Sequence, residues 1–151
     1  LLRGVDLKTY IFDIDNTIAN NQHRIHYLHE TPKNWNEWHK NHHLDTPYWE
    51  IIDLMEMALD NGIRIVLCTG RDEKVRDETR KWLEEHDIHY HQLYMRPLGD
   101  RRDDSEVKRE LLKTIRADGY DPVLVFEDRD RVVAMWREEG LRCLQVAPGN
   151  F

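Results

Sequence analysis

Cysteine, proline, glycine and long apolar runs are all scarce in this chain of 151 residues. The two cysteines, Cys68 and Cys143, cannot staple a small scaffold, and each lies in an apolar β-like run where a reduced, buried thiol is expected. That composition points to a reducing, cytoplasmic setting. With 7 Gly and 5 Pro, collagen-like and low-complexity classes are excluded. No stretch approaches the roughly 18 apolar residues of a membrane span, and the N-terminus lacks the basic-then-apolar order of a signal peptide. Positive charge is short as well: 22 Lys+Arg against 29 Asp+Glu give a net charge of -7. A broad electrostatic nucleic-acid surface is thereby excluded, and any phosphate ligand is left to a few local basic groups and a divalent metal. Position 1 is Leu rather than Met, which fits a processed chain or a domain excised from a longer protein.

What is present, 40% hydrophobic and 34% charged, suits one domain over residues 1–151 with a proper core. Short apolar runs at 9–12, 63–68, 90–95, 123–126 and 141–146 read as strands buried on both faces. Between them, apolar positions follow the 3.6 period of a helix: Trp49, Ile52, Met55 and Leu59; Val75, Trp82, Leu83 and His86; Val107, Leu111 and Ile115; Val132, Val133 and Trp136. This alternation predicts an α/β fold, a Rossmann-like parallel sheet flanked by helices, with its chemistry at the carboxyl ends of the strands. Thr46-Pro47 reads as an N-cap followed by Pro at the first helical position, and Gly62, Gly119 and Gly140 as left-handed helix ends. The segment 20–45 shows no clean period and carries six histidines with Trp35 and Trp38. Placed directly after the first strand, it is expected to form a small cap over the site.

The first strand ends in Asp13-Ile14-Asp15-Asn16-Thr17. Carboxylates at i and i+2 of an extended segment project to one side, so one can attack phosphorus while the other moves a proton, given a cation to offset their repulsion. The same arrangement also serves as an ordinary turn or helix cap. At the second strand end, Thr69-Gly70-Arg71 brings a hydroxyl, a flexible amide and a guanidinium together, a small anion pocket or simply a turn with a surface arginine. Asp103-Asp104 opens a helix in which Lys108 sits against the helix dipole and so points at an anion. Glu127-Asp128 closes an apolar strand, which is costly unless the acids are paired or bind a metal.

Taken in order at successive strand ends, these motifs resemble the haloacid dehalogenase superfamily of aspartate-nucleophile phosphotransferases over nearly the whole chain, and the second acid, Asp15, resembles that of its phosphatases. Arg24, Thr69-Gly70-Arg71, the run from Gly99 to Asp104 before Lys108, and the stretch from Glu127 through Val132–Arg137 to Gln145-Val146-Ala147 and Phe151 are similar to the phosphatase domain of phage-type polynucleotide kinase-phosphatases. Such enzymes remove a 3′-phosphate and add a 5′-phosphate with a separate kinase domain. The resemblance implies Asp13 as nucleophile, Asp15 as general acid/base, and Lys108 with Thr69 on the phosphoryl oxygens. It implies Mg2+ held by Asp13, the Asp15 carbonyl and Asp128, with Glu127, where the family has Asp, acting through a metal-bound water. Arg24, Gly70, Arg71 and Asp104 fall at substrate positions and their supporting shell. The partners implied are 3′-phosphorylated DNA or RNA ends and a kinase domain N-terminal to Leu1, with no membrane.

A nucleotidase of the same superfamily is the enzymatic alternative, and a non-catalytic end-binding module the other. Zinc at His39, His42 and His43 is disfavoured, because no Cys-x-x-Cys or His-Glu-x-x-His accompanies them. Trp35 and Trp38 can stack nucleobases or pin the cap to the core. None of the seven glycines is followed by Lys, so the Gly-Lys-Ser/Thr phosphate loop of a kinase is missing. Incubated with ATP, magnesium and a 5′-hydroxyl oligonucleotide, this chain should therefore label no 5′ end; a labelled end would mean that Thr69-Gly70-Arg71 had been misread.

Overall fold

The computed structural model describes residues 7–151; Leu1 lies outside the described residues. The first half runs β1 (Lys8–Phe12), β2 (Ala19–Asn20), α1 (Trp35–Lys40), β3 (Thr46–Pro47), α2 (Trp49–Asp60) and β4 (Arg64–Asp72). The second runs α3 (Arg76–Glu85), β5 (Gln92–Arg96), α4 (Asp104–Ala117), β6 (Asp121–Glu127), α5 (Asp130–Glu138) and β7 (Arg142–Gln145). Five strands form one sheet in the order β5-β4-β1-β6-β7, with every neighbouring pair parallel. This is the Rossmann-like α/β architecture that the alternating pattern predicts.

The strand period of two explains why the apolar runs are continuous. In β1, Ile11 packs on the side of Val107, Ile115, Val132 and Trp136, whereas Phe12 packs on the side of Ile52, Met55, Trp82 and Leu83. In β4, Val66 and Cys68 join the first side and Ile65 and Leu67 the second. Both faces are thus covered by helices, and Trp136 and Trp82 are the largest fully buried side chains. Both cysteines are free and buried.

Three expectations at element ends are corrected. Thr46-Pro47 does not open α2; it pairs antiparallel with Ala19-Asn20, and the helix starts at Trp49 behind Tyr48. Proline is tolerated there because a two-residue edge ladder asks nothing of its missing N–H. β4 continues through Thr69-Gly70-Arg71 to Asp72, so this motif extends a strand, with a register irregularity between Thr69 and Asp72, instead of forming a strand-to-helix turn. The third strand begins at Gln92, two residues later than the apolar run suggests. Gly62, Gly119 and Gly140 do have positive φ, as does Asn16 at 60°.

The β2–β3 ribbon ties together the two ends of the segment 20–45, which consists of 3-10 helices at Gln22–His29 and His42–Leu44 around α1. Trp82 anchors it from below: its indole Nε1 donates to the Asp45 carbonyl at 2.8 Å. Trp82→Ala should lose about 3–5 kcal/mol in urea unfolding followed by circular dichroism, whereas Trp35→Ala, at a residue 47% exposed, should stay within about 0.5 kcal/mol of the parent.

Candidate active site

The carboxyl ends of β1, β4 and β6 converge on one cavity of about 390 Å³ whose lining includes Asp13, Asp15, Arg71, Asp104, Glu127 and Asp128. Asp13 follows β1 directly and stays in register, its amide donating to the Phe126 carbonyl of β6 at 3.0 Å. Its side chain is addressed at both oxygens: Lys108 Nζ donates to Oδ1 at 2.8 Å and Thr17 Oγ1 to Oδ2 at 3.1 Å. The same ammonium donates to Glu127 Oε2 at 2.8 Å and lies 3.7 Å from Asp104, one helical turn earlier in α4. Lys108 is 1% exposed, so the anion it faces is this set of carboxylates.

Among the described residues, Asp13, Glu127 and Asp128 are the one group of three with ligand atoms within 4.8 Å of one another; all three are buried, and no histidine belongs to it. One ammonium cannot keep three buried acids ionised. Burial and the neighbouring Glu127 push Asp13 up to about 8 despite the lysine contact. Burial likewise raises Glu127 to about 7, and burial with the Asp13 charge raises Asp128 to about 7. Lys108 stays cationic, because Asp104, Asp13 and Glu127 outweigh its own burial. Such a cluster of hard oxygen donors, short of positive charge, fits a small divalent cation.

Asp15, two residues on, stands in the opposite field. Arg71 grips it with a bidentate fork, Nε to Oδ2 at 3.0 Å and Nη2 to Oδ1 at 2.8 Å, and Arg24 Nη2 donates to Oδ1 at 2.6 Å. Although burial works to raise it, Arg71 and Arg24 hold the Asp15 carboxyl well below the usual carboxylate range. Arg24 spends its remaining donors on Asp45, from Nε at 2.8 Å and Nη2 at 2.6 Å, and on the Trp38 carbonyl at 3.0 Å. Arg71 Nη1 donates to Thr79 Oγ1 at 3.1 Å and faces the His42 ring, which burial and that guanidinium depress to about 3. Of the substrate positions and supporting shell that the resemblance implies, Arg24 and Arg71 both turn their forks onto Asp15. Arg24 is fully buried and backs the acid from behind; Arg71, 4% exposed, lines the cavity.

Close packing fixes the remaining parts. Thr69 is buried, and its Oγ1 accepts from the Arg71 amide at 3.2 Å. A methyl group on Gly70 would lie 2.1 Å from Asp104 Oδ1, so glycine is what lets α4 bring Asp104 against β4. Glu127 Oε2 accepts from Lys108 and Trp136 Nε1, and Oε1 accepts from the Asp128 amide at 3.2 Å, while its carboxylate still lies within the acid cluster. Its longer reach than Asp serves to hold Lys108.

Sequence reasoning misses four contributors. Asn16 does more than turn the chain, since Nδ2 donates to Asp128 Oδ2 at 3.1 Å and Oδ1 accepts from Tyr48. Asp45, fully buried between Arg24 and His23, closes the arginine network. Gln145 Nε2 donates to the Asp128 carbonyl at 2.9 Å. Gly149 lets the closing segment cross the β6–α5 junction, where a methyl group would meet the Asp128 carbonyl at 1.9 Å. Asn16 and Gln145 both stand inside motifs visible in the sequence, which do not reveal these contacts; Asp45 and Gly149 act through tertiary contacts alone. The tryptophan pair divides, with Trp38 buried under Arg24, whose guanidinium carbon is 3.9 Å from the ring centre, and Trp35 exposed at the cavity rim. No helix among the described residues is long and apolar enough to cross a membrane.

Known proteins share this fold. The chain is 30% identical to a chain of the Pnkp1/Rnl/Hen1 complex, with a TM-score of 0.82 over 96% of this chain and 47% of that one. It is similar to a protein of Autographa californica nuclear polyhedrosis virus described as a bifunctional polynucleotide kinase/RNA ligase, 36% identical over 75 residues, 49% of this chain and 11% of the viral one. It therefore spans less than half the length of these relatives. The class C acid phosphatase of Bacillus anthracis shares the fold, with a TM-score of 0.66 at 20% identity over 95% of this chain and 66% of that one. Residues 7–151 match the family described as the polynucleotide kinase PNKP phosphatase domain, and to that family of haloacid dehalogenase-type phosphatases this chain belongs.

Proposed function

We propose that the chain hydrolyses the terminal phosphomonoester of 3′-phosphorylated DNA or RNA ends through an aspartyl-phosphate on Asp13. The observation that carries this reading is the opposed environment of two acids two residues apart: Asp13 on Lys108 beside Glu127 and Asp128, Asp15 in the arginine clamp, both in one cavity. Acids driven apart in this way divide the labour of nucleophile and proton carrier. Asp13 Oδ attacks phosphorus in line and the ester P–O bond breaks toward the 3′ oxygen, which Asp15 protonates. The free site holds Asp15 ionised; a phosphate dianion beside it offsets the two guanidinium charges and lets it take up that proton. Once the alcohol has left, Asp15, again a base, draws a proton from water as the water attacks the acyl phosphate, releasing phosphate and restoring Asp13. Lys108 holds the Asp13 carboxylate in place for both steps.

Asp13, Asp128 and the Asp15 carbonyl would hold the Mg2+ ion, with Glu127 acting through a metal-bound water and holding Lys108. When bound, the ion supplies the positive charge that keeps the acids ionised and neutralises phosphoryl oxygens. A kinase domain elsewhere in the full-length protein would supply 5′ phosphorylation, as the kinase named in the viral relative suggests.

Phosphate release from a 3′-phosphorylated oligonucleotide should exceed release from mononucleotides and should fall by at least about 10³-fold in Asp13→Asn and Asp15→Asn. Equal rates on both substrates would favour a nucleotidase, and tight binding without release an end-binding module. Metal linkage gives a test independent of turnover. Acids raised to about 7–8 in the folded chain bind protons more tightly there than in the unfolded chain. Their contribution is thus present below about pH 4 and is lost as the pH rises through 8. The Tm of the metal-free protein should fall between pH 5 and pH 8, Asp13→Asn should raise it at pH 8, and millimolar Mg2+ should raise it more at pH 8 than at pH 5. A Tm insensitive to Mg2+ at pH 8 would remove the metal from the reading.

A further inference from the structure

Two tryptophans three residues apart end in opposite environments. Trp38 lines the active-site cavity but is 7% exposed and stacked under Arg24, so it packs the segment onto the arginine network. Trp35 is 47% exposed, so the fold gains little from its indole, and it sits at the rim of the cavity that holds Asp13 and Asp15. One helical turn on, the His39 ring lies at 6.1 Å and 26° to it, and Lys33 Nζ is 5.7 Å from its centre. Lys33 has no carboxylate partner among the described residues, and both it and His39 line the same cavity. Phe151 adds a second exposed ring at that rim, with the Arg129 guanidinium 5.2 Å from its centre.

Asp13 is only 5% exposed, so a phosphate must descend to the cavity floor before it can be attacked, and the nucleotide bearing it must follow. A cavity of about 390 Å³ is within the range of single small-ligand sites, about 300–1,000 Å³. That volume suits one nucleotide, so a terminal nucleotide that enters it leaves any paired partner outside. A base entering above the phosphate meets an exposed indole, and every base has a π face to lay on it.

We propose that Trp35 is the stacking platform for the unpaired nucleobase of the 3′-terminal nucleotide, with Lys33 on the phosphodiester that leads away, so that the site selects single-stranded 3′ ends. This inference rests on the 3′-phosphatase reading and assigns its specificity.

The test uses the parent chain, Trp35→Ala and Trp35→Phe on three substrates. These are a 3′-phosphorylated single strand, the same strand with an abasic terminal nucleotide, and the same strand annealed as a blunt duplex. On the natural single strand, Trp35→Ala should raise KM about tenfold with little change in kcat, and Trp35→Phe should recover most of the loss. On the abasic end, Trp35→Ala should change nothing, because the parent has already lost the stack. The parent should also turn over the blunt duplex at least tenfold more slowly than the single strand. Equal losses on natural and abasic ends, or equal turnover of duplex and single strand, would overturn the stacking role while leaving the phosphatase reading intact. No phosphate from any of the three substrates would overturn both.

Discussion

The structure is organised around an uneven distribution of buried charge at the end of β1. On one side of Ile14, Lys108 offers one ammonium to Asp13, Glu127 and Asp104, and Asp128 stands beside Asp13 with only the neutral Asn16 amide on its Oδ2. On the other, Asp15 and Asp45 face two guanidiniums, Arg24 and Arg71, and the charges balance. Leaving a buried carboxylate unpaired costs far more than most packing defects, so the first group persists only because its oxygens take hydrogen bonds from the chain and because protonation relieves the excess. Much of the local architecture serves that need. Thr17, Asn16 and Trp136 all donate into the acid cluster, and Gln145 fixes the strand end that carries it. A site with more buried carboxylates than cations is also one poised to exchange its protons for a divalent cation.

The balanced half explains how the segment 20–45 is joined to the chemistry. Arg24 lies within the segment, yet one of its nitrogens is bonded to Asp15 on the core, while Asp45 and the Trp38 carbonyl, both also of the segment, take the others. Trp82 of α3 and Arg71 of β4 reach the same carboxylate residue from the core side, through the Asp45 carbonyl and at 3.6 Å from Oδ2. The segment therefore cannot shift without disturbing the orientation of Asp15. Because Arg24, Arg71 and Asp45 are buried and Asp15 is half-buried, the coupling is only weakly screened by salt.

How much of this was legible in the sequence depended on range. The sheet was legible because strands buried on both faces must be apolar at consecutive positions, and the helices because their periods are long enough to count. The acids at strand ends were legible because a charged residue closing an apolar run is costly without a purpose, as with Glu127-Asp128. Element ends were less so: Thr46-Pro47 has the composition of a helix start, but pairing with Ala19-Asn20 overrides it. The directions of Arg24 and Arg71 were not legible, since an arginine near a phosphate site looks the same whether its fork meets substrate or a neighbouring carboxylate. Only the partner 9 or 56 residues away decides it.

The same limit applies to Trp35 and Trp38, and here the fold resolves what spacing left open. Three residues apart on α1, the two lie on nearly the same helical face, and composition alone gives them equal claims to packing and to stacking. Burial of Arg24 breaks the tie. A guanidinium removed from water keeps its charge only with every donor satisfied and its faces covered, and Trp38 supplies a carbonyl for one donor and an indole for one face. Trp35, which lines the same cavity as Trp38 and is exposed, is thereby released from structural duty. The charge network that orients Asp15 thus also determines which aromatic residue remains free to meet a ligand.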